Sequence, residues 1–325
     1  MDSTCTLEIM IDDKRNHIGI APAVSIVLPA YNREGTLGRS IQSILDQSFR
    51  DFELIIIDDG SIDNTREVVR SFVDCRINFI RLEKNVGGAA ARNIGVSHAC
   101  APIIAFQDSD DVWLPGKLEK CIIELKSNSN LSGVFSAFLQ IQDGRTSYKP
   151  SYIPHEGEMT KAILYENFVG TPTCLIRREI FHLVGGFDPD MPRYQDWELF
   201  IRLFKYGSFF FIKEPLILSY ITPGSISTNS YAHSVALQMI YDKNRAEIES
   251  NRKLNTIWLA NLGDAQLRWG AVDKGVNNLI KLWRLNPFSI GIFSRAIAAF
   301  FGGKLLYENW IRIINEAKRI TTKFF

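Results

Sequence analysis

The chain has 325 residues, of which 46% are hydrophobic and 22% charged, and its formal net charge is +1. This composition excludes a disordered chain, and the length predicts one large folded domain with an appended region. Residues 243–325 carry 14 basic and 6 acidic side chains, a net charge of +8, whereas residues 1–242 have a net charge of −7. The basic C-terminal region predicts an anionic partner such as a membrane surface, RNA or another protein.

Residues 1–21 are predicted to be an extension without a signal peptide, because no long apolar run follows a basic end. The five cysteines form no CxxC pair, and their odd number argues against a disulfide framework. No run of about 18 uninterrupted apolar residues occurs, and the nearest, 287–303, is interrupted by Arg295. The sequence therefore predicts a cytoplasmic protein that does not span a membrane.

Short apolar runs alternate with helical patterns up to about residue 130. The runs are rich in apolar and β-branched residues, as is typical of buried strands. Strands that alternate with helices predict an α/β fold with a mostly parallel central sheet and helices on both faces. The four predicted strands are 24–29, 52–61, 77–82 and 102–107.

Polar and acidic residues gather at the predicted strand ends, where ligands bind in parallel sheets. Tyr31 and Asn32 follow the first strand, and "DDGS" (58–61) ends the second. The fourth strand leads into "DSDD" (108–111). Capping of the next helix is the alternative for any single loop. Capping needs one carboxylate, however, and these loops contain two or three.

A bound metal ion would explain the acidic run after the fourth strand. In an extended chain Asp108 and Asp110 would face one side and Asp111 the other. Two hard oxygen donors on one side suit Mg²⁺ or Mn²⁺, which would also relieve their repulsion. An acidic turn ahead of the next helix is the alternative. It is weaker, because Pro115 already makes a good helix start and Asp108 lies too far upstream to cap it.

Four stretches, in order and in register, resemble glycosyltransferase family 2, whose members have the GT-A fold. They are "VSIVLPAYNRE", "FELIIIDDGSIDNT", "NVGGAAARNIG" and "FQDSDDVWLPGKL", and the resemblance continues in weaker form to about residue 222. It implies an inverting, metal-dependent enzyme that takes a sugar from a nucleotide diphosphate donor, usually a UDP-sugar. The acceptor would be a saccharide or a lipid-linked hydroxyl in cell-surface polysaccharide or glycolipid synthesis.

The resemblance also implies roles for single residues. Tyr31 would stack on the nucleotide base, and Asp59 would accept a hydrogen bond from the uracil ring. Asp110 would be the more direct ligand of Mn²⁺ or Mg²⁺, with Asp108 nearer the ribose. The whole implied nucleotide-sugar set is Pro29, Ala30, Tyr31, Glu34, Asp59, Arg92, Asp108, Ser109 and Asp110.

A later stretch, "GGFDPDMPRYQDWELFIRL" (185–203), resembles the acidic motif of the family. Asp196 takes the position of the general base, which removes the acceptor's proton. Gln195 stands where the family usually has Glu, and capping of the next helix is a further role that Asp196 can play. The implied acceptor side comprises Asp111, Trp113, Gln195 and Trp197.

The resemblance places a glycosyltransferase domain at 22–228, with a nucleotide-sugar half at 22–130 and an acceptor half at 131–228. In the acceptor half, 209–221 is predicted to form two short strands. Ser225 and Ser227, in the polar loop after them, are implied contacts of the diphosphate.

Residues 229–325 show a helical and basic pattern, and their tryptophans are predicted to serve packing. The segment 287–325 is predicted to be amphipathic and to lie peripherally on the inner face of a membrane. Helices that form a homodimer are the alternative. Although the charge balance alone would also allow RNA, nucleic acid is not among the predicted partners.

Other classes of enzyme lack their defining motifs here. The sequence has no GxGxxG, GxxxxGK[ST] or HExxH, which argues against dinucleotide-binding, P-loop and zinc hydrolase chemistry. Two alternatives stay open. One is a catalytically silent nucleotide-sugar-binding or assembly subunit with the same fold. The other is a nucleotidyltransferase on a related sheet.

Overall fold

The computed structural model describes residues 21–221 and 230–321. The predicted extension up to residue 20 and the predicted diphosphate contacts Ser225 and Ser227 lie outside these ranges. The described residues form two compact units. The first ends at Asp190 and resumes at Gln195, and the second consists of Met191–Tyr194 and the helices from Ser230 onward. The predicted domain bounds stay predictions.

The first unit begins with four parallel strands, as predicted. They are β1 (Val24–Ala30), β2 (Phe52–Asp58), β3 (Ile77–Arg81) and β4 (Ile103–Phe106), and the helices that connect them are α1 (Leu37–Leu45), α2 (Thr65–Arg70) and α3 (Gly88–Ser97). The strands lie side by side in the order β3-β2-β1-β4. Almost every residue of β1, β2 and β4 is buried, which explains their continuous apolar sequences.

Helices lie on both faces of these strands, which confirms the predicted α/β fold. On one face Ile41 of α1 belongs to the same core cluster as Ile26 and Leu28 of β1. On the other face α3 lies very close to the sheet, since a Cβ atom at Gly95 would be 2.4 Å from Cγ1 of Val27. Glycine at this position therefore permits the close approach of α3 to β1.

The sheet continues with strands of both directions. The remaining elements of the unit are β5 (Val112–Trp113), α4 (Lys117–Ser127), β6 (Leu131–Gln142), β7 (Arg145–Lys149), α5 (Met159–Ala162), β8 (Cys174–Arg177), α6 (Arg178–Leu183), α7 (Gln195–Tyr206) and β9 (Ser208–Tyr220). The full order is β3-β2-β1-β4-β8-β6-β9-β5, with β7 paired to β6. β8 is antiparallel to both of its neighbours, whereas β6 and β9 are parallel.

One long strand, β9, replaces the two short strands predicted for 209–221, so that prediction is wrong. Pro215, which lacks a backbone N–H, lies at a shift in register where β9 faces Ser136 and Ala137 of β6. Such an irregularity accommodates proline without ending the strand.

A lysine is buried at the start of α4 without a hydrogen-bond partner. Lys117 is 0% exposed, and no acceptor in the described part of the chain reaches its Nζ. Nζ lies 3.9 Å from the ring centroid of Trp113, so the negative ring face is its nearest described counterpart. Burial lowers the pKa of Lys117, because the charged ammonium loses its hydration.

We expect Lys117→Met to raise the free energy of unfolding by about 1–3 kcal/mol at neutral pH, because methionine fills the space without an unpaired buried charge. The lowered folded-state pKa means that the unfolded chain binds the proton more tightly. Wild-type stability therefore rises with pH up to the ordinary value of 10.5, and the advantage of the variant shrinks. Urea unfolding at several pH values measures this. Lys126→Met, exposed on the same helix, is the control, and a less stable Lys117→Met protein would contradict the expectation.

The second unit consists of helices packed around α10. They are α8 (Ser230–Lys243), α9 (Arg245–Ser250), α10 (Arg252–Trp269), α11 (Val272–Leu285) and α12 (Ile290–Thr321). α10 contacts each of the other four. Trp258 is buried as predicted, but Trp269 is 39% exposed and Trp283 half-buried, so the packing prediction is right mainly for Trp258. Within the described residues, every helix is too short or too polar to cross a membrane.

Candidate functional site

Hydrogen bonds join the loops that follow β1 and β2. The N–H of Asn32 donates to Oγ of Ser61 over 2.9 Å, and the backbone N–H and Nδ2 of Asn64 donate to Oε2 of Glu34 over 3.0 and 2.8 Å. Glu34, a predicted donor-binding residue, therefore fastens one loop to the other. Tyr31 is 43% exposed beside it, so its ring is accessible to a ligand.

Asp59 lies at the end of β2, and its N–H donates to the carbonyl of Ala30, which follows Pro29 at the end of β1. Its buried carboxylate accepts hydrogen bonds from the N–H groups of Val86 (2.7 Å) and Gly87 (3.0 Å). Burial raises the pKa of Asp59 even though these two bonds lower it. Asp59 thus fixes the loop before α3, and each of its oxygens keeps a second lone pair for a ligand.

A tight turn follows β4 and carries the acidic run. The N–H of Asp111 donates to the carbonyl of Asp108 over 3.2 Å, so the chain is not extended here, and the predicted alternation of sides is wrong. Two side chains of α1 hold the turn: Oγ of Ser40 donates to the carbonyl of Asp108 (3.0 Å), and Nη2 of Arg39 donates to that of Asp110 (2.6 Å). Their contacts fix this turn at the edge of the sheet.

The carboxylates of this turn differ in their surroundings. Asp108 and Asp110 are half-buried, whereas Ser109 and Asp111 are buried. Burial raises the pKa of Asp110, and the charge of Asp108 adds to the effect. Burial raises the pKa of Asp111 well above its usual range, although its Oδ1 accepts a hydrogen bond from the N–H of Tyr220 at 3.0 Å. Burial therefore disfavours the charged forms of Asp110 and Asp111, and the hydrogen bonds and cations around them offset this only in part.

This turn fits a divalent cation whose ligands are one or two of its carboxylates together with a phosphate. Among the described residues, no group of three His, Cys, Asp or Glu side chains could hold a metal ion. Asp108 and Asp110 nevertheless offer hard oxygen ligands close enough together that each charge disfavours the other. Mg²⁺ is commonly held by one or two carboxylates together with substrate phosphates. The donor set suits a cation that arrives with a phosphate ligand.

Arg92 of α3 connects the acidic turn to the start of α7. Its Nη2 lies 2.5 Å from Oδ1 of Asp108, and its Nη1 donates to Oε1 of Gln195 over 3.2 Å. The guanidinium also lies over the ring of Phe187, 5.5 Å from its centroid. One side chain thus spans two predicted halves of the site.

Asp196 lies in the first turn of α7. Its Oδ1 accepts a hydrogen bond from the N–H of Trp197 (2.7 Å), and the side chain of Asn167 also bonds to it. Part of the side chain is exposed, although protein atoms surround most of it. Burial raises the pKa of Asp196, and the nearby charge of Asp108 raises it further, while Arg92 lowers it. The predicted base is therefore within electrostatic reach of the acidic turn.

Most of the predicted acceptor-side residues point into the protein. Trp113 is 2% exposed and Trp197 8% exposed, and Nε1 of Trp197 donates to the carbonyl of Ile163 over 2.6 Å. Asp111 is buried as well, and only Gln195 of the four is partly exposed. Their role toward an acceptor stays a prediction, and the two tryptophans are packed inside the protein.

Three polar residues at the site are absent from the sequence predictions. The charges of Arg33 and Arg39 lower the pKa of Asp110, and Asn167 bonds to Asp196. Arg33 lies within the first motif, "AYNRE", two positions after Tyr31. This position next to the implied base-binding residues is a sequence signal that could have identified it. Arg39 and Asn167 lie in helical or irregular stretches without a motif, and no sequence signal singles them out.

The model of "Glycosyl transferase family 2" matches residues 25–185. The putative teichuronic acid biosynthesis glycosyltransferase TuaG of Bacillus subtilis is 30% identical over 240 residues, which cover 73% of this chain and 92% of TuaG. The Escherichia coli WfgD, a UDP-Glc:alpha-D-GlcNAc-diphosphoundecaprenol beta-1,3-glucosyltransferase, is 32% identical over 210 residues, 64% of this chain and 81% of WfgD.

Two solved structures share the fold at low sequence identity. S. aureus TarS in complex with UDP-GlcNAc superposes with a TM-score of 0.64 at 16% identity, over 90% of this chain and 92% of the TarS chain. The mannosyltransferase PcManGT of Pyrobaculum calidifontis, solved with GDP-Man and Mn2+, gives a TM-score of 0.55 at 15% identity, over 94% of this chain and 86% of its own.

Proposed function

This chain belongs to glycosyl transferase family 2, and we propose that it moves a sugar from a nucleotide diphosphate to an acceptor hydroxyl, with inversion at the anomeric carbon. The position of Arg92 carries the proposal. Its guanidinium contacts both Asp108 in the acidic turn and Gln195 beside Asp196. A donor whose diphosphate lies at the turn would therefore present its sugar next to the carboxylate of Asp196.

The donor would bind along the ends of β1, β2 and β4. Tyr31 would stack on the base, and Asp59 would accept a hydrogen bond from it. The cations of Arg33 and Arg39 near Asp110 would favour the diphosphate. A UDP-sugar is the proposed donor, supported by the UDP-GlcNAc complex of TarS, whereas PcManGT was solved with GDP-Man.

Asp110, with Asp108, would hold Mn²⁺ or Mg²⁺ together with the diphosphate. A cation bound there stabilises the charge that develops on the leaving diphosphate. Asp108 pairs with Arg92 at 2.5 Å, so the same carboxylate can exchange its arginine for the metal while Arg92 turns to a phosphate. The Mn2+ in the PcManGT structure supports this assignment.

Asp196 would act as the general base. A hydroxyl becomes a competent nucleophile when a carboxylate takes its proton as it attacks. The N–H of Trp197 and the side chain of Asn167 orient the carboxylate of Asp196. One base suffices for direct inversion, because the diphosphate is already a good leaving group.

A lipid-linked or surface saccharide is the proposed acceptor, in the synthesis of a cell-surface polysaccharide. TuaG is named for teichuronic acid biosynthesis, and WfgD for transfer to a diphosphoundecaprenol-linked sugar. The proposed place of action is the cytoplasm, peripherally at the inner face of the membrane.

A panel of UDP- and GDP-sugars with Mn²⁺ tests the reaction. Lipid-linked and soluble saccharide acceptors would be offered, and release of the nucleoside diphosphate measured. We expect acceptor-dependent release with one donor of the panel. Donor binding without release on any acceptor would favour the silent binding subunit, and pyrophosphate release from a nucleoside triphosphate would favour a nucleotidyltransferase.

We expect kcat to fall at acidic pH with a midpoint above 3.8, the ordinary pKa of aspartate, because burial raises the pKa of Asp196 and only its carboxylate can accept a proton. Saturating Mn²⁺ would keep the carboxylates at the turn ionised during the measurement. Asn167→Ala removes a hydrogen bond that lowers this pKa, so the midpoint should move to higher pH. A midpoint at or below 3.8 in wild type, unmoved in the variant, would contradict the assignment.

A further inference from the structure

Large apolar side chains are exposed along one face of α12. Ile290, Phe293, Ile297, Phe300 and Phe301 recur at a spacing of three to four residues, which puts them on the same side of the helix. Their exposed fractions run from 40% to 83%. Phe288, just before the helix, is 98% exposed. Soluble proteins rarely expose a contiguous apolar stripe of this kind without a partner for it.

A neighbouring face of α12 already has its partners. Ala296, Ala299 and Tyr307 are buried, and the hydroxyl of Tyr307 donates to Oδ1 of Asp264 on α10 over 2.9 Å. The exposed stripe is therefore not the packing face of this helix. Among the described residues, Trp283 touches its edge, with ring centroids of Trp283 and Phe293 5.6 Å apart.

Exposed cations lie on α11, the helix that precedes this stripe and contacts it through Trp283. Lys274, Lys281 and Arg284 are exposed on α11 at a spacing of seven and three residues, which is one helix face. Nη2 of the exposed Arg252 donates to the carbonyl of Leu285, at the end of α11 and close to Phe288 in the chain. Between residues 274 and 307 the sequence contains five basic and no acidic residues.

One of these five cations does not belong to the surface. Nε of Arg295 donates to the hydroxyl of Tyr307 over 2.7 Å, and its Nη2 lies 3.6 Å from Oδ1 of Asp264. Its guanidinium therefore already has partners within the helical unit. The cations on α11 and Arg252 stay available to an external anion.

We propose that α11 and the first three turns of α12 form a surface that docks on an anionic lipid bilayer. The apolar stripe would enter the region between headgroups and acyl chains, and the α11 cations and Arg252 would pair with lipid phosphates. This surface gives the proposed place of action a structural basis, yet it does not depend on the transfer reaction.

A second copy of this chain is a poorer occupant. In a two-fold contact the same patch meets itself, so the α11 cations of both copies would approach each other. An anionic membrane instead offers opposite charge and an apolar layer side by side. No described helix is long and apolar enough to span, which agrees with a segment that lies in the interface.

Co-sedimentation of the full chain with vesicles tests the proposal, without donor or acceptor. Vesicles of phosphatidylcholine alone would be compared with vesicles that also contain phosphatidylglycerol. We expect binding to the anionic vesicles at least about tenfold stronger, and weakened by salt. Replacing Phe288, Phe300 and Phe301 by serine should reduce this binding at least about tenfold, and so should Lys281→Glu with Arg284→Glu.

Ile123→Ser and Tyr231→Ser, exposed apolar side chains outside this surface, are the matched controls and should bind as wild type does. Equal binding of wild type and the serine variant would overturn the proposal. Equal binding to both kinds of vesicle would overturn its electrostatic part. A wild type that ignores vesicles but forms dimers that the serine replacements dissociate would show that the partner is a second copy. Failure of vesicle binding with intact sugar transfer would leave the proposed reaction standing.

Discussion

Asp196→Asn should lower kcat by about 10²- to 10⁴-fold while it leaves donor binding in place, because the amide keeps the shape but cannot take the acceptor's proton. The carboxylate accepts the N–H of Trp197 and contacts Asn167, and an asparagine oxygen can still accept from the backbone. Loss of turnover should therefore not come from loss of folding. Steady-state release of the nucleoside diphosphate, together with calorimetric binding of the donor with Mn²⁺, separates the two effects.

Asp190→Asn is the matched control for this variant. Asp190 lies six positions upstream of Asp196, and its replacement by asparagine is the same chemical change. Its side chain is exposed. We expect kcat of this control to stay within about a factor of two of wild type. Wild-type turnover in Asp196→Asn would rule out Asp196 as the base, and weakened donor binding in it would indicate a donor-side role instead.

Asp110→Ala should abolish the Mn²⁺-dependent part of donor binding and lower kcat/KM by at least about 100-fold, since a bound cation supplies several kcal/mol of charge stabilisation. Burial and the charge of Asp108 raise the pKa of Asp110, and a bound cation would stabilise the carboxylate form that they disfavour. Removing it leaves Asp108, which already pairs with Arg92. Titration of UDP in the presence and absence of Mn²⁺ measures the effect.

Asp46→Ala serves as the control, because Asp46 is an exposed carboxylate at the end of α1. It should bind UDP with the same Mn²⁺ dependence as wild type. An Asp110→Ala protein that keeps its Mn²⁺ dependence would move the metal site away from the acidic turn. The two principal variants thus differ in kind, since Asp110→Ala is expected to lose binding and Asp196→Asn only turnover.

The parallel half of the fold could be predicted from sequence because each strand there is a continuous apolar run. The sequences "VSIVLP" of β1 and "FELIII" of β2 are mostly apolar, and both strands are almost entirely buried. The later strands follow no such rule. β9 contains Pro215 and the charged pair Lys213 and Glu214, yet it forms one strand, since its pairing with β6 tolerates a shift in register there. Local sequence patterns do not predict the pairing between strands that are distant in the chain.

The candidate site shows the same division. Motifs locate Asp108 and Asp110, but the turn that Ser40 and Arg39 hold decides that Asp111 is buried. Sequence proximity likewise suggests Trp113 for the acceptor side, whereas the structure places it under Lys117. Both differences have one cause. The local conformation depends on side chains of α1 and α4, which are not part of the acidic motif.

A crystal structure with an unreactive UDP-sugar analogue and Mn²⁺ tests the central claim most directly. We expect an anomalous peak of manganese about 2 Å from a carboxylate oxygen of Asp110, in contact with the diphosphate. We also expect the carboxylate of Asp196 to face the anomeric carbon of the sugar. A manganese peak elsewhere, or a sugar on the far side of the acidic turn from Asp196, would contradict it.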